Sequence, residues 1–208
     1  MDSVKSFWEN VHSNAIGRYL TGTPGAEIWD VCHITDLVHP GINVLNIGVG
    51  LGNCTSDLHF AGANVYVLDI CQEAIDKVKP IIVDGWISEN ILSLPCDFFD
   101  LSISYLVAQH ISDYVLNEQL RYVIRSLKKD GVFAMQFLSL MTNQPQGKNK
   151  DQEGSNVRSL SQMEQMVEQN GGFISFVCPK REMKNIIIAP GEECLDAEWQ
   201  FIQIKNKI

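Results

Sequence analysis

The chain lacks any apolar run approaching the roughly 20 residues that span a bilayer, so a helical membrane protein is not expected. It is also short of positive charge: 16 Lys plus Arg stand against 25 Asp plus Glu, for a formal charge of -9. That balance repels a phosphate backbone. The small basic groups, Lys148 with Lys150 and Lys180 with Arg181 and Lys184, are interleaved with acids and have no regular aromatic spacing. Nucleic acid is therefore not an expected partner. Among 6 cysteines and 5 histidines there is no CxxC pair and no histidine cluster at metal-ligand spacing. Reduced, mostly buried thiols and no metal are the expectation. Met1 to Asn10 also lacks the basic-then-apolar pattern of a secretion signal, which places the protein in the cytoplasm. No internal repeat or low-complexity tract interrupts the chain.

What is present is an ordinary globular balance of 45% hydrophobic and 20% charged residues in 208, enough to bury one core. One domain over residues 1–208 is expected. Strand-like and helix-like patterns alternate through the first two thirds, which implies an α/β fold. Val4, Phe7, Trp8 and Val11 fall at helical spacing, and a second helix is expected from about Pro24 to Val38. These helices, within residues 1–40, precede the sheet as a cap. Asn43 to Ile47, Asn64 to Leu68 and Phe99 to Tyr105 read as buried parallel strands, with a weaker one near Trp86 to Ser88. Helices are expected over Asn53 to Phe60, Cys71 to Lys79 and Ser112 to Lys129, the last with Leu116, Leu120, Ile124 and Leu127 on one face.

Val132 to Leu138 reads as the next strand. Residues 139–158 are mostly polar or helix-breaking and form a candidate lid loop. Ser161 to Glu164 matches a capping box at the head of a last helix ending at Gly171-Gly172. Phe173 to Cys178 and Trp199 to Ile204 read as a closing antiparallel pair. Ile186 to Ile188 lies between them as an added strand or a continuation of the first.

The central motif is Val44-Leu-Asn-Ile-Gly48-Val-Gly50-Leu-Gly52, followed 17 residues after Gly52 by Asp69 at the end of Val65-Tyr-Val-Leu. Glycines between a strand and the next helix let a ligand approach where a Cβ would clash. Gly48 and Gly50 are expected to floor such a site, and Gly52 to let the helix start close to the strand. Asp69 stands where a carboxylate accepts from the ribose hydroxyls of an adenosine. The dinucleotide fingerprint GxGxxG would need Gly or Ala at Asn53, and the pattern here is GxGxG. That spacing, together with the lack of a Tyr-x-x-x-Lys pair, counts against an NAD(P)-dependent reductase.

At these residues the chain resembles the class I S-adenosylmethionine-dependent methyltransferases, and within them the group of small-molecule methyltransferases. The likeness covers about residues 40 to 178. It extends to Asn90-Ile-Leu-Ser-Leu-Pro95 followed by Phe99-Asp100-Leu-Ser-Ile-Ser, and to Ser126-Leu-Lys-Lys-Asp-Gly131, which is similar to that group's L-K-P-G-G turn. The resemblance implies a Rossmann-like three-layer αβα sandwich whose seven-stranded, mostly parallel sheet has an antiparallel last strand. It implies S-adenosyl-L-methionine as cofactor and S-adenosyl-L-homocysteine as product. It further implies that Asp69 holds ribose, Asn90 meets the adenine amino group and Ile91 offers a backbone amide, with Ile70 and Tyr105 beside them. Two positions depart from the pattern: Asn46 replaces the usual acid of the first strand, and Val49 the usual Cys. An amide at Asn46 still accepts a hydrogen bond from the methionine ammonium.

On the acceptor side, His110 is the histidine near a strand end with an ordinary pKa close to neutrality, and is the candidate base. Trp8 is expected to pack, and His12 to be exposed. Leu94-Pro-Cys96 resembles the nucleophile of cytosine-5 methyltransferases but precedes the Phe99 strand instead of following it, so Cys96 reads as structural. The N/D-P-P-Y signature of amide methylation is absent. The expected function is methyl transfer to oxygen or nitrogen of a small polar metabolite, such as a sugar, glycan or natural-product intermediate. The alternative is a non-catalytic S-adenosylmethionine-binding protein.

Overall fold

The structure is a computed structural model and describes residues 2–13, 24–140, 156–178, 181–182 and 197–207. Its β1 (Asn43–Ile47), β2 (Asn64–Asp69), β3 (Asp84–Ile87), β4 (Phe99–Ser104) and β5 (Leu127–Leu140) are the parallel part of one sheet. β6 (Gly172–Val177) and a two-residue β7 (Arg181–Glu182) each pair antiparallel with β8 (Ala197–Asn206), which also runs antiparallel to β5. The path across the sheet is β3-β2-β1-β4-β5-β8-β6, with β7 pairing off it. This is the expected seven-stranded, mostly parallel sheet with a reversed last strand, extended by the short β7. Between β1 and its neighbours β2 and β4 the chain changes direction across the sheet, and ligands of open α/β sheets sit at the carboxyl ends of strands at such a switch point.

The strands are apolar on both faces because both are covered. Successive side chains alternate between the faces. Val44, Val65, Val67, Leu101, Ile103 and Ala134 pack on the side of α2 (Gly25–Val31), α3 (Asn53–Phe60) and α4 (Gln72–Val78). Leu45, Ile47, Leu68, Phe133, Met135 and Phe137 pack on the side of α5 (Asp113–Ser126) and α6 (Leu160–Gln169). The N-terminal α1 (Asp2–Ser13) lies over the strand ends, tied by Lys5 Nζ to Glu89 at 2.8 Å and by Ser13 Oγ to Glu73 at 3.0 Å. Among the described residues no helix is long and apolar enough to cross a membrane.

Several boundaries differ from expectation for local reasons. The second helix stops at Val31 because His33 adopts a left-handed backbone (φ 53°) with no glycine to announce it; Thr35–Leu37 is a separate helical turn. The helix expected to reach Lys129 ends at Ser126. Leu127 is extended and pairs with Phe99, while the Lys128 ammonium reaches the Asp100 carboxylate at 2.8 Å. The capping box is formed by Ser159 and Gln162, two residues before the expected one: Gln162 N–H donates to Ser159 Oγ at 3.2 Å and Ser159 N–H to Gln162 Oε1 at 2.8 Å. Most of the expected lid, from 141 to 155, and the Ile186 to Ile188 strand lie outside the described residues.

Arg158, which follows the lid segment, is 2% exposed, and its guanidinium is fully engaged. Nε meets Asp113 at 2.8 Å, Nη1 the Ala108 carbonyl and Nη2 the Ile111 carbonyl, both at 2.7 Å. These bonds pin residues 108 to 111, the segment that carries His110.

Candidate functional site

The glycine loop between β1 and α3 takes left-handed backbone at Gly48 (φ 80°), Gly50 (φ 56°) and Gly52 (φ 88°). A Cβ on Gly48 would run into Val107 Cγ2, which packs directly on this glycine, whereas one on Gly50 would meet nothing within 4 Å. A Cβ on Gly52 would stand 2.8 Å from Val78 Cγ1 of α4, which makes this glycine a packing residue. Gly48 and Gly50 line a cavity of about 470 Å³ over the strand ends; Gly52 is not among its lining residues.

Asp69 ends β2 against this loop and is 7% exposed. Its carboxylate accepts the Val49 N–H at 2.6 Å and the Cys71 N–H at 2.8 Å. Burial pushes the carboxyl up from its ordinary value, and the N–H bonds from Cys71 and Val49 oppose that shift. Because a carboxylate accepts about four hydrogen bonds, the group both shapes the loop and keeps acceptor capacity for a ligand.

Asn46 on β1 donates from Nδ2 to Thr55 Oγ1 at 2.9 Å, within the buried interior. The amide thus spends its donor on the protein, which leaves the carbonyl end as the acceptor toward the cavity it lines. Ile70, Ile91, Tyr105 and His110 line the same space, so eight of the ten expected positions converge there, all but Gly52 and Asn90. Asn90 is exposed on the helical turn Ser88–Ser93 and does not line the cavity; its neighbours Glu89 and Ile91 do.

His110 has its Nε2 3.2 Å from Gln109 Nε2 and its ring edge-on to Trp8, with centroids 4.9 Å apart. At the same strand end, Leu106 is held at φ 58°, a conformation rare for a branched residue. Its N–H is anchored on Gln136 Oε1 at 2.8 Å. Backbone in this region is costly and persists where the surroundings over-determine it.

Several lining residues were not expected. Lys5, Trp8 and His12 recur along one face of α1 and all reach the cavity. His12 is 6% exposed and not at the surface, and its burial lowers its pKa while Asp69 opposes that shift. The signal was readable: His12 is four residues after Trp8, on the face that the apolar spacing turns inward. From α5 come Glu118 and Gln119, the latter with a buried Nε2 that has no partner among the described residues. Of the described cysteines, Cys32, Cys54, Cys71 and Cys178 are buried, the last with its Sγ donating to the Val31 carbonyl at 3.2 Å, but Cys96 is exposed, not a core thiol.

The protein family described as "Methyltransferase domain" matches residues 45–135, the span from β1 to β5 that builds most of the cavity. Residues 45–135, a little under half of the chain, are thus similar to a methyltransferase domain. The similar solved structures agree in fold across nearly the whole chain. The Burkholderia thailandensis 1,6-didemethyltoxoflavin-N1-methyltransferase superposes at TM-score 0.68, with 13% identity over 99% of this chain and 88% of that one. Magnesium protoporphyrin IX methyltransferase from Synechocystis PCC 6803 gives 0.67, with 12% identity over 98% of both. The [4+2]-cyclase SpnF gives 0.66, with 12% identity over 84% of this chain and 80% of that one. No curated protein matches the sequence. The methyltransferase fold therefore carries this cavity, with Asp69 and the glycine loop at its floor.

Proposed function

We propose that this chain transfers a methyl group from S-adenosyl-L-methionine to an oxygen or nitrogen of a small polar metabolite. The observation that carries the reading is the buried Asp69 carboxylate beside the left-handed glycine loop, at the floor of one cavity of about 470 Å³. The residues present fit the cofactor. Gly50, where a Cβ would meet nothing within 4 Å, leaves the loop open to a ligand, Asp69 accepts ribose hydroxyls, Asn46 offers a carbonyl to the ammonium, and Ile70 and Ile91 give apolar walls for adenine. The Burkholderia and Synechocystis structures hold S-adenosylhomocysteine.

Bound there, S-adenosyl-L-methionine supplies a methyl on a sulfonium whose C–S bond breaks as the acceptor's lone pair takes the carbon, leaving S-adenosylhomocysteine. The chain's part is alignment and exclusion of water, supplied by Tyr105, Val107 and the Trp8 face of α1. His110 is positioned on the cavity wall to take the acceptor's proton, and Trp8 and Gln109 fix its ring. Replacing His110 with alanine is expected to lower turnover about 100-fold, the ordinary scale of a general base, with little change in cofactor affinity. Unchanged turnover would leave alignment alone as the source of rate. A small acceptor fits the acidic chain better than nucleic acid or a lipid surface, and free cysteines fit the cytoplasm.

The test is calorimetric titration with S-adenosylmethionine, S-adenosylhomocysteine and NADH, followed by acceptor-dependent release of S-adenosylhomocysteine. Binding only of NADH would move the chain to the reductases. Cofactor binding without turnover on any acceptor would make it a binding protein; the [4+2]-cyclase among the similar structures is a reminder that this fold is not tied to one reaction.

Affinity should also depend on pH with a definite sign. Burial raises the Asp69 pKa in the free protein, and hydroxyls donating to the charged form lower it in the complex. Binding then releases a proton. S-adenosylhomocysteine affinity is expected to be full above the raised value and to fall as pH drops through it; Asp69→Asn should flatten that profile.

A further inference from the structure

We infer that His12, carried by α1, is a second partner of the cofactor ribose, beside Asp69. The inference rests on the cofactor reading above and adds to it a residue that no part of the glycine motif contains. A ring nitrogen of His12, a carboxylate oxygen of Asp69 and the Cys71 sulfur lie within 4.8 Å of one another, and all three residues are buried. Among the described residues His12 Nδ1 is buried with no hydrogen-bond partner, although His12 lines the cavity. A buried polar atom left without a partner is costly, so its persistence at a ligand cavity points to an occupant that satisfies it.

The chemistry of the surroundings selects that occupant. Burial pushes the Cys71 thiol up to about 12, with Asp69 adding to the shift, so the sulfur stays protonated and is a poor ligand for a cation. Burial also favours neutral His12. The occupant is thus a neutral oxygen that both donates and accepts. A ribose hydroxyl does this in one atom: its O–H donates to the Asp69 carboxylate and its lone pair accepts the Nδ1–H of His12. The polar contacts of α1 elsewhere, Lys5 with Glu89 and Ser13 with Glu73, are exposed and contribute little, while Val11 is buried and Trp8 packs on the core. Bound cofactor therefore adds a buried polar tie between α1 and the cavity floor through His12, beside the Trp8 contact with His110.

The test is a ligand and variant cycle in the full chain. S-adenosylhomocysteine and its 2′-deoxy and 3′-deoxy analogues are titrated calorimetrically into the wild type, His12→Leu, His12→Asn and Asp69→Ala, with apo melting temperatures recorded for each. His12→Leu is expected to weaken S-adenosylhomocysteine binding about 5- to 10-fold, the scale of one net hydrogen bond, and to leave unchanged the affinity for the analogue lacking the shared hydroxyl. His12→Asn, whose Nδ2 can replace Nδ1, should restore most of the loss. Equal weakening for all three ligands, or none for any, overturns the role of His12 while leaving the cofactor assignment intact. Failure of the wild type to bind S-adenosylhomocysteine is the distinct result that overturns the proposed function itself.

Discussion

Asp69→Ala is expected to weaken S-adenosylhomocysteine binding at least about 100-fold, the largest effect of any single change in the cavity. Hydrogen bonds to a charged group contribute about 1.5–3 kcal/mol each, and two lost ribose bonds correspond to roughly 3–6 kcal/mol. The same change strips the acceptor from the Val49 and Cys71 N–H groups, so the glycine loop loses its anchor as well as its ligand. Two opposing terms act on the apo protein. Leaving those donors unsatisfied costs about 1–3 kcal/mol each, whereas removing a carboxylate whose burial already raises its pKa relieves part of that cost. The melting temperature should thus move much less than the affinity. Asp69→Asn separates the roles, because its carbonyl keeps one acceptor while its NH2 faces a donor. Calorimetry with thermal melts of the two variants checks the pattern; a melt that collapses together with affinity would mean that Asp69 serves the fold first.

Arg158→Met is expected to be the most destabilising substitution outside the apolar core, by about 2–4 kcal/mol, since the buried Ala108 carbonyl and the part-buried Ile111 carbonyl lose their charged donor, Ile111 keeping Asn156. For a chain of this size each kcal/mol lowers the melting temperature by about 2–4 °C, so the shift should exceed about 5 °C. The ion pair itself adds little, because the Asp113 side chain is 69% exposed. Arg158→Lys should rescue only part of the loss, as a single ammonium cannot span the Ala108 and Ile111 carbonyls in the way a planar fork does. Turnover should fall along with stability, and acceptor KM should rise, if these bonds hold His110 and its neighbours in register. Unfolding curves superposable on the wild type would remove Arg158 from this role.

The parts of this protein legible in its sequence are those governed by short-range rules. The glycine loop, Asp69 after it and the apolar strand runs each follow from local backbone or burial demands, and the structure brings Asn46, Gly48, Gly50, Asp69, Ile70, Ile91, Tyr105 and His110 to one cavity. What escaped depends on long-range packing. Arg158 carries no local sign that its partners lie some 45 to 50 residues earlier in the chain. The end of α2 at Val31 rests on a left-handed histidine that only its tertiary surroundings impose. Asn90 followed the family pattern in sequence but sits outside the cavity, because the turn it belongs to points its neighbours inward instead. His12 was misjudged although its helical phase with Trp8 was available.

The reversed strand has a bearing on how the protein is made. β8 lies between β5 and β6, so β6 has no neighbour in the sheet until residues 197–206 have left the ribosome. Up to that moment a nascent chain exposes the edge of β5 and the apolar face of β6, where Phe173, Phe176 and Val177 remain partly exposed even after folding. Pairings of such large sequence separation form late and slowly, and open strand edges are where chains associate wrongly. The strand that closes the sheet is thus made after both of the strands it joins, and chaperone dependence should concentrate in the interval before it emerges.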